Sequence, residues 1–204
     1  MSHTRLFFIR HAEVEPKYHR TFGGRIDMNL SDLGHEQAQV LARYLERHSF
    51  DAIYASPMKR VQQTLAPLVK NGHPPPQTID DLREVDFGDW TGLVWEQVQE
   101  KFGVSPYKWL VELEHARMPN AETGAELCER LAPVLKDMIS AHAGQTVAVF
   151  CHGGIIRAAL SVLLELPLVK TAAFEVDYAS VTQVKMGLHG NEVQLLNFAP
   201  WRHA

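Results

Sequence analysis

Two histidines far apart in the chain share one context. LFFIRHAE puts Arg10 and His11 just past an apolar run, and TVAVFCHGG puts His152 just past another. Ligands of parallel sheets collect beyond the carboxyl ends of strands. Arg60, in SPMKRVQQT, stands near a third such end, and Gly153-Gly154 leave backbone amides free at a helix start. A guanidinium offers planar paired donors that match phosphate oxygens. Two histidines, one or two arginines and free amides therefore favour a dianionic, tetrahedral guest. A neutral imidazole nitrogen can attack phosphorus when its other nitrogen is held by a hydrogen bond, and nearby cations disfavour imidazolium. A departing alkoxide then needs a proton from an acid that later takes one from water. The stretch LREVDFGDWTG supplies Glu84, Asp86 and Asp89 as rivals, and periodicity does not choose among them.

The elements that must position these groups can be read from the same sequence. Residues 4–9, 52–55 and 146–150 read as buried strands, with a further short strand near residues 78–80. Ser31 caps a helix over residues 32–48. Ser56-Pro57 opens another that Asn71-Gly72 closes, so Arg60 falls in a first turn. Thr123-Gly-Ala-Glu126 has the form of a capping box ahead of a buried stripe of Leu127, Leu131, Leu135 and Met138, and residues 155–166 form a last helix. Residues 174–198 read as two or three strands around a turn at residues 187–190. This order predicts an α/β fold, a three-layer sandwich whose mixed, mainly parallel sheet carries helices on both faces. One domain over residues 1–204 is expected, with residues 81–120 as an inserted, lid-like segment.

Taken singly, each residue has a plainer reading. A lone His11 or His152 is more often a satisfied histidine, and a lone Arg60 a surface ion pair. Arg47-His48 and Arg202-His203 lack an apolar run and glycines, and read as a helix end and a tail. Cys151 and His152 point to opposite faces of an extended strand, which argues against a nucleophile-base pair between them, and Cys151 reads as a small buried residue. Trp90, Trp95 and Trp109 read as core or lid packing rather than substrate stacking. The chain's 204 residues, 46% hydrophobic, with a net charge of −4, give no overall basic field for nucleic acid or an anionic membrane. Any anion site must be local. Two cysteines without metal-ligand spacing, no signal-peptide core and no uninterrupted apolar span predict a cytoplasmic protein.

FIRHAE, SPMKRVQQT, LREVDFGDWTG and FCHGGIIRA, in this order over residues 5 to about 170, resemble the histidine phosphatase superfamily, the phosphoglycerate-mutase-like proteins. The length and the DFGDWTG segment are most similar to its small bacterial phosphatases, α-ribazole phosphatase among them. The resemblance implies His11 as the nucleophile that becomes phosphohistidine, a phosphoryl clamp of Arg10, Arg60 and His152 beside Gly153, and Glu84 as proton donor. It implies no metal and no cofactor. Ala12 stands where the common motif has glycine. Lys17 and Gly23 replace the usual asparagine and glutamine of the phosphate pocket, and Lys17 or Arg25 is expected to reach the substrate.

The leading expectation is thus a metal-independent phosphomonoesterase for a small phosphorylated metabolite. A phosphoglycerate mutase is the nearest rival, disfavoured by the short middle section, and a non-catalytic phosphate binder is the other. A homodimer is left open by the sequence.

Overall fold

The computed structural model describes residues 3–69, 72–188 and 190–203. Its six-stranded sheet has the order β3-β2-β4-β1-β5-β6. These strands are β1 Arg5–Arg10, β2 Ala52–Ala55, β3 Gln77–Thr78, β4 Thr146–Cys151, β5 Val181–Lys185 and β6 Glu192–Phe198. Strands β3, β2, β4 and β1 run parallel, while β5 and β6 add an antiparallel edge. The fold is therefore α/β with a mixed sheet, as the alternation of elements predicts.

Side-chain alternation along β1 and β4 builds two cores. Phe7, Ile9, Ala148 and Phe150 face helices α1 (Asp32–Leu45) and α2 (Lys59–Val69), and meet Leu41, Leu45, Val61 and Leu65 there. Leu6, Phe8, Val147 and Val149 face the opposite layer, and meet Leu131 and Leu135 of α5 (Gly124–Ala141) and Ile156 and Leu160 of α6 (Gly153–Leu164). Residues 81–120 form short pieces, including α3 (Trp95–Phe102) and α4 (Trp109–Glu114), and contribute Leu82, Trp90 and Leu113 to that second core.

The capping box forms as read: Thr123 Oγ1 accepts from the Glu126 amide, and the Glu126 carboxylate accepts from the Thr123 amide. Strands β1 and β4 each run one residue further than expected, and α6 begins at Gly153 rather than Ile155. Helix α2 starts at Lys59, not at Ser56-Pro57. Its Lys59 amide is capped from a distance by Asp27 Oδ1 at 2.9 Å, while the Ser56 hydroxyl contacts His152. Asn71 lies outside the described residues.

Gly34 of α1 packs on the backbone just after the β1 end, where an added methyl would overlap the Glu13 carbonyl oxygen. Gly34→Ala is expected to lower stability by about 2 kcal/mol in urea unfolding, as overpacking does. An unchanged midpoint would mean that this helix does not fix the loop following β1.

Candidate active site

The end of β1 is held on both sides. The His11 amide donates to the Cys151 carbonyl of β4, and the Ala179 amide donates to the His11 carbonyl. His11 Nδ1 lies 2.8 Å from the Ala12 carbonyl oxygen, which can only accept, so Nδ1 carries the proton. Nε2 is left as the lone-pair nitrogen, and no hydrogen-bond partner for it is found among the described residues. Because a backbone carbonyl fixes this tautomer, alanine serves at position 12 as well as glycine. The Ala12 methyl is buried in the α1/α2 core, and its amide donates to Thr64 Oγ1 of α2.

His152 has the opposite tautomer. Arg60 Nε, which can only donate, points at His152 Nδ1 over 3.2 Å, so the proton lies on Nε2, 2.8 Å from Ser56 Oγ. The same guanidinium donates from Nη1 to the Ile26 carbonyl and from Nη2 to the Gly24 carbonyl. It thus joins α2, the end of β4 and the 24–26 loop. Arg60 is 2% exposed, and burial chiefly, against the opposing charge of Glu84, brings its pKa down to about 10. The two imidazole rings lie 5.3 Å apart, edge to face.

Arg10 crosses the Tyr178 ring at 4.2 Å and donates from Nη1 to the Val176 carbonyl at 2.5 Å; its Nε is buried without a partner. Glu84 is held by backbone amides, Oε1 accepting from Val85 and Oε2 from Gly154 at the α6 start. A side chain at position 154 would collide with the Glu84 carboxylate and Val85, which explains the second glycine of the pair. The rivals of Glu84 are occupied elsewhere: Asp86 accepts from the Gly88 amide and Asp89 from the Asn120 side chain.

Arg10, His11, Arg60, Glu84, Gly153 and Gly23 all line one cavity of about 440 Å³. Among the described residues its charged lining groups are three arginines, Arg10, Arg60 and Arg157, against the single carboxylate of Glu84. His152, which the sequence reading sets directly on the phosphoryl group, does not line it, and both its ring nitrogens are engaged by protein. Lys17 and Arg25 are not brought to the cavity either. Lys17 is 62% exposed and pairs with Glu15, and Arg25 lies 3.4 Å from Asp86. Tyr18, next to Lys17, lines the wall instead. Trp90 is core, whereas Trp95 and Trp109 line the cavity. Sequence reasoning passed over Ser56, Tyr178 and Arg157. The signal for Arg157 was present as the lone charge in the apolar helix GGIIRAALSVLL.

The sequence profile of the Histidine phosphatase superfamily (branch 1) matches residues 6–199. The chain belongs to that superfamily. Phosphoserine phosphatase 1 of Hydrogenobacter thermophilus is 32% identical over 95% of this chain and 92% of its own length. Adenosylcobalamin/alpha-ribazole phosphatase of Escherichia coli is 25% identical over 95% of each chain. Among solved structures, a mycobacterial glucosyl-3-phosphoglycerate phosphatase superposes with a TM-score of 0.87 at 23% identity, covering 95% of this chain and 98% of its own; that likeness establishes the fold. Membership together with phosphatase relatives matched over nearly their whole length makes this chain a hydrolase of phosphate monoesters.

Both imidazoles are held well below their ordinary pKa. For each the largest cause is burial, followed by the charge of Arg60; Arg10 adds to it at both. The unfolded chain therefore binds more protons once the pH drops below the ordinary imidazole value of 6.5. This contribution to stability is complete above that value and is lost on acidification, by up to about 1.4 kcal/mol per pH unit for each ring. Urea midpoints should fall between about pH 6.5 and pH 5, less steeply in His152→Asn. A midpoint independent of pH over this range would contradict buried neutral rings.

Proposed function

We propose that the chain hydrolyses the monoester of a small phosphorylated metabolite in two displacements, with His11 as nucleophile and Glu84 as acid and then base. The observation that carries this reading is the His11 tautomer: Nδ1–H is fixed on the Ala12 carbonyl, which leaves the Nε2 lone pair in a cavity that the guanidinium groups of Arg10 and Arg60 also line. Nε2 bonds to phosphorus as the ester P–O bond breaks, and the Glu84 carboxyl gives its proton to the departing oxygen. Water then attacks the phosphohistidine, Glu84 takes its proton, and the P–N bond breaks to return the lone pair to Nε2.

Arg10 and Arg60 carry the phosphoryl charge, with the Gly153 amide at the α6 start beside them. His152 steadies Arg60 through Nδ1 and is itself held by Ser56 at Nε2, so it acts through the guanidinium. Lys17 and Arg25, paired with Glu15 and Asp86, have no place in this scheme, while Gly23 leaves room for the Met28 methyl that an added Cβ would meet. Residues 81–120 act as a lid, a reading supported by Trp95, Tyr107 and Trp109 along the cavity wall. The relatives' names, phosphoserine phosphatase and alpha-ribazole phosphatase, support a phosphorylated metabolite as substrate. Two free thiols, Cys151 inside the core, support a cytoplasmic setting.

His11→Ala should lower turnover of p-nitrophenyl phosphate at least about a thousandfold, and retained activity would sink the mechanism. Glu84→Gln should cost an alkyl phosphate about a hundredfold or more in kcat, and p-nitrophenyl phosphate markedly less, because nitrophenolate departs without a proton. Equal losses on both would remove Glu84 as the acid.

A further inference from the structure

Helix α6 carries one charged residue, Arg157, one turn beyond Gly153 and on the same face. A lone guanidinium there needs a reason. Its Nη1 donates to the carbonyl of buried Thr171, which pins the side chain in one orientation. Nε and Nη2 make no hydrogen bond to protein among the described residues, and neither is sealed from solvent. Arg157 forms no direct ion pair with Glu84, and it lines the cavity described above.

The charges in that cavity do not balance for a simple alkyl phosphate. A phosphoryl dianion matches Arg10 and Arg60. While Glu84 holds the proton for the leaving group, Arg157 is then left without a counter-charge. One cation with a free, planar pair of donors, Nε and Nη2, matches the two oxygens of a carboxylate. A second phosphoryl dianion would overshoot that single charge.

We propose that Arg157 is a specificity-determining residue that binds a substrate carboxylate, so that the preferred substrates are phosphate esters of hydroxy acids. This rests on the phosphatase reading of the same cavity. Burial, and after it the charge of Arg10, already disfavour the Arg157 cation, with Glu84 opposing, and a bound carboxylate relieves that cost.

The test compares 3-phosphoglycerate with glycerol 3-phosphate, which differ in a carboxylate against a hydroxymethyl group. Equilibrium binding to the His11→Ala protein, measured by calorimetry, requires no turnover. The carboxylate-bearing ester should bind at least about tenfold more tightly. Adding Arg157→Gln should abolish the difference by weakening 3-phosphoglycerate alone, and Arg157→Lys should restore part of it. Equal affinities in the His11→Ala protein, including no binding of either ester, would overturn the proposal without any Arg157 variant. A parallel loss for both esters on Arg157→Gln would overturn it as well. The phosphatase reading fails separately, if wild-type protein does not hydrolyse p-nitrophenyl phosphate.

Discussion

The hydrogen bond from Arg60 Nε to His152 Nδ1 joins the first turn of α2, the end of β4 and, through the other guanidinium nitrogens, the 24–26 loop. It can form only while His152 is neutral, because a protonated ring has no lone pair to offer. Burial of both partners enforces that state: desolvation drives the imidazole to its uncharged form, and the adjacent guanidinium does the same. The cost falls on Arg60, a cation taken out of water with two carbonyls and an imidazole as its partners. Such a group is costly to leave unpaired, and it therefore fixes the geometry around it.

From that constraint follows the local electrostatics of a chain whose net charge is −4. Positive charge is concentrated beyond the carboxyl ends of the parallel strands by three arginines from three different elements, β1, α2 and α6, none of them adjacent in sequence. Backbone groups do the complementary work. The Ala12 carbonyl sets the His11 tautomer, and the Val85 and Gly154 amides hold Glu84. A main-chain carbonyl is present whatever the side chain, so Ala12 supplies the acceptor for His11 Nδ1 as a glycine would.

Much of this was legible in the sequence wherever the cause is local. Apolar runs, the Thr123 capping box, and the strand-end positions of Arg10, His11 and His152 all depend on neighbours along the chain. What escaped is tertiary. Ser56 reads as a helix cap, but its hydroxyl contacts His152, and the start of α2 is capped instead by Asp27, far from it in sequence. Lys17 looks like a substrate contact by position, yet its turn sends it to Glu15 and presents Tyr18 to the cavity. That His152 stands behind Arg60 rather than on the cavity wall depends on side-chain packing that no spacing rule encodes.

The central claim is that the free Nε2 of His11 takes the phosphoryl group. The most direct measurement is to mix the protein with a radiolabelled phosphomonoester, quench with alkali during turnover, and map the label on peptides. The account predicts an acid-labile, alkali-stable phosphoryl group on the peptide that carries His11, at His11 itself. Steady turnover without any such adduct under rapid quenching, or a label on another residue, would contradict it.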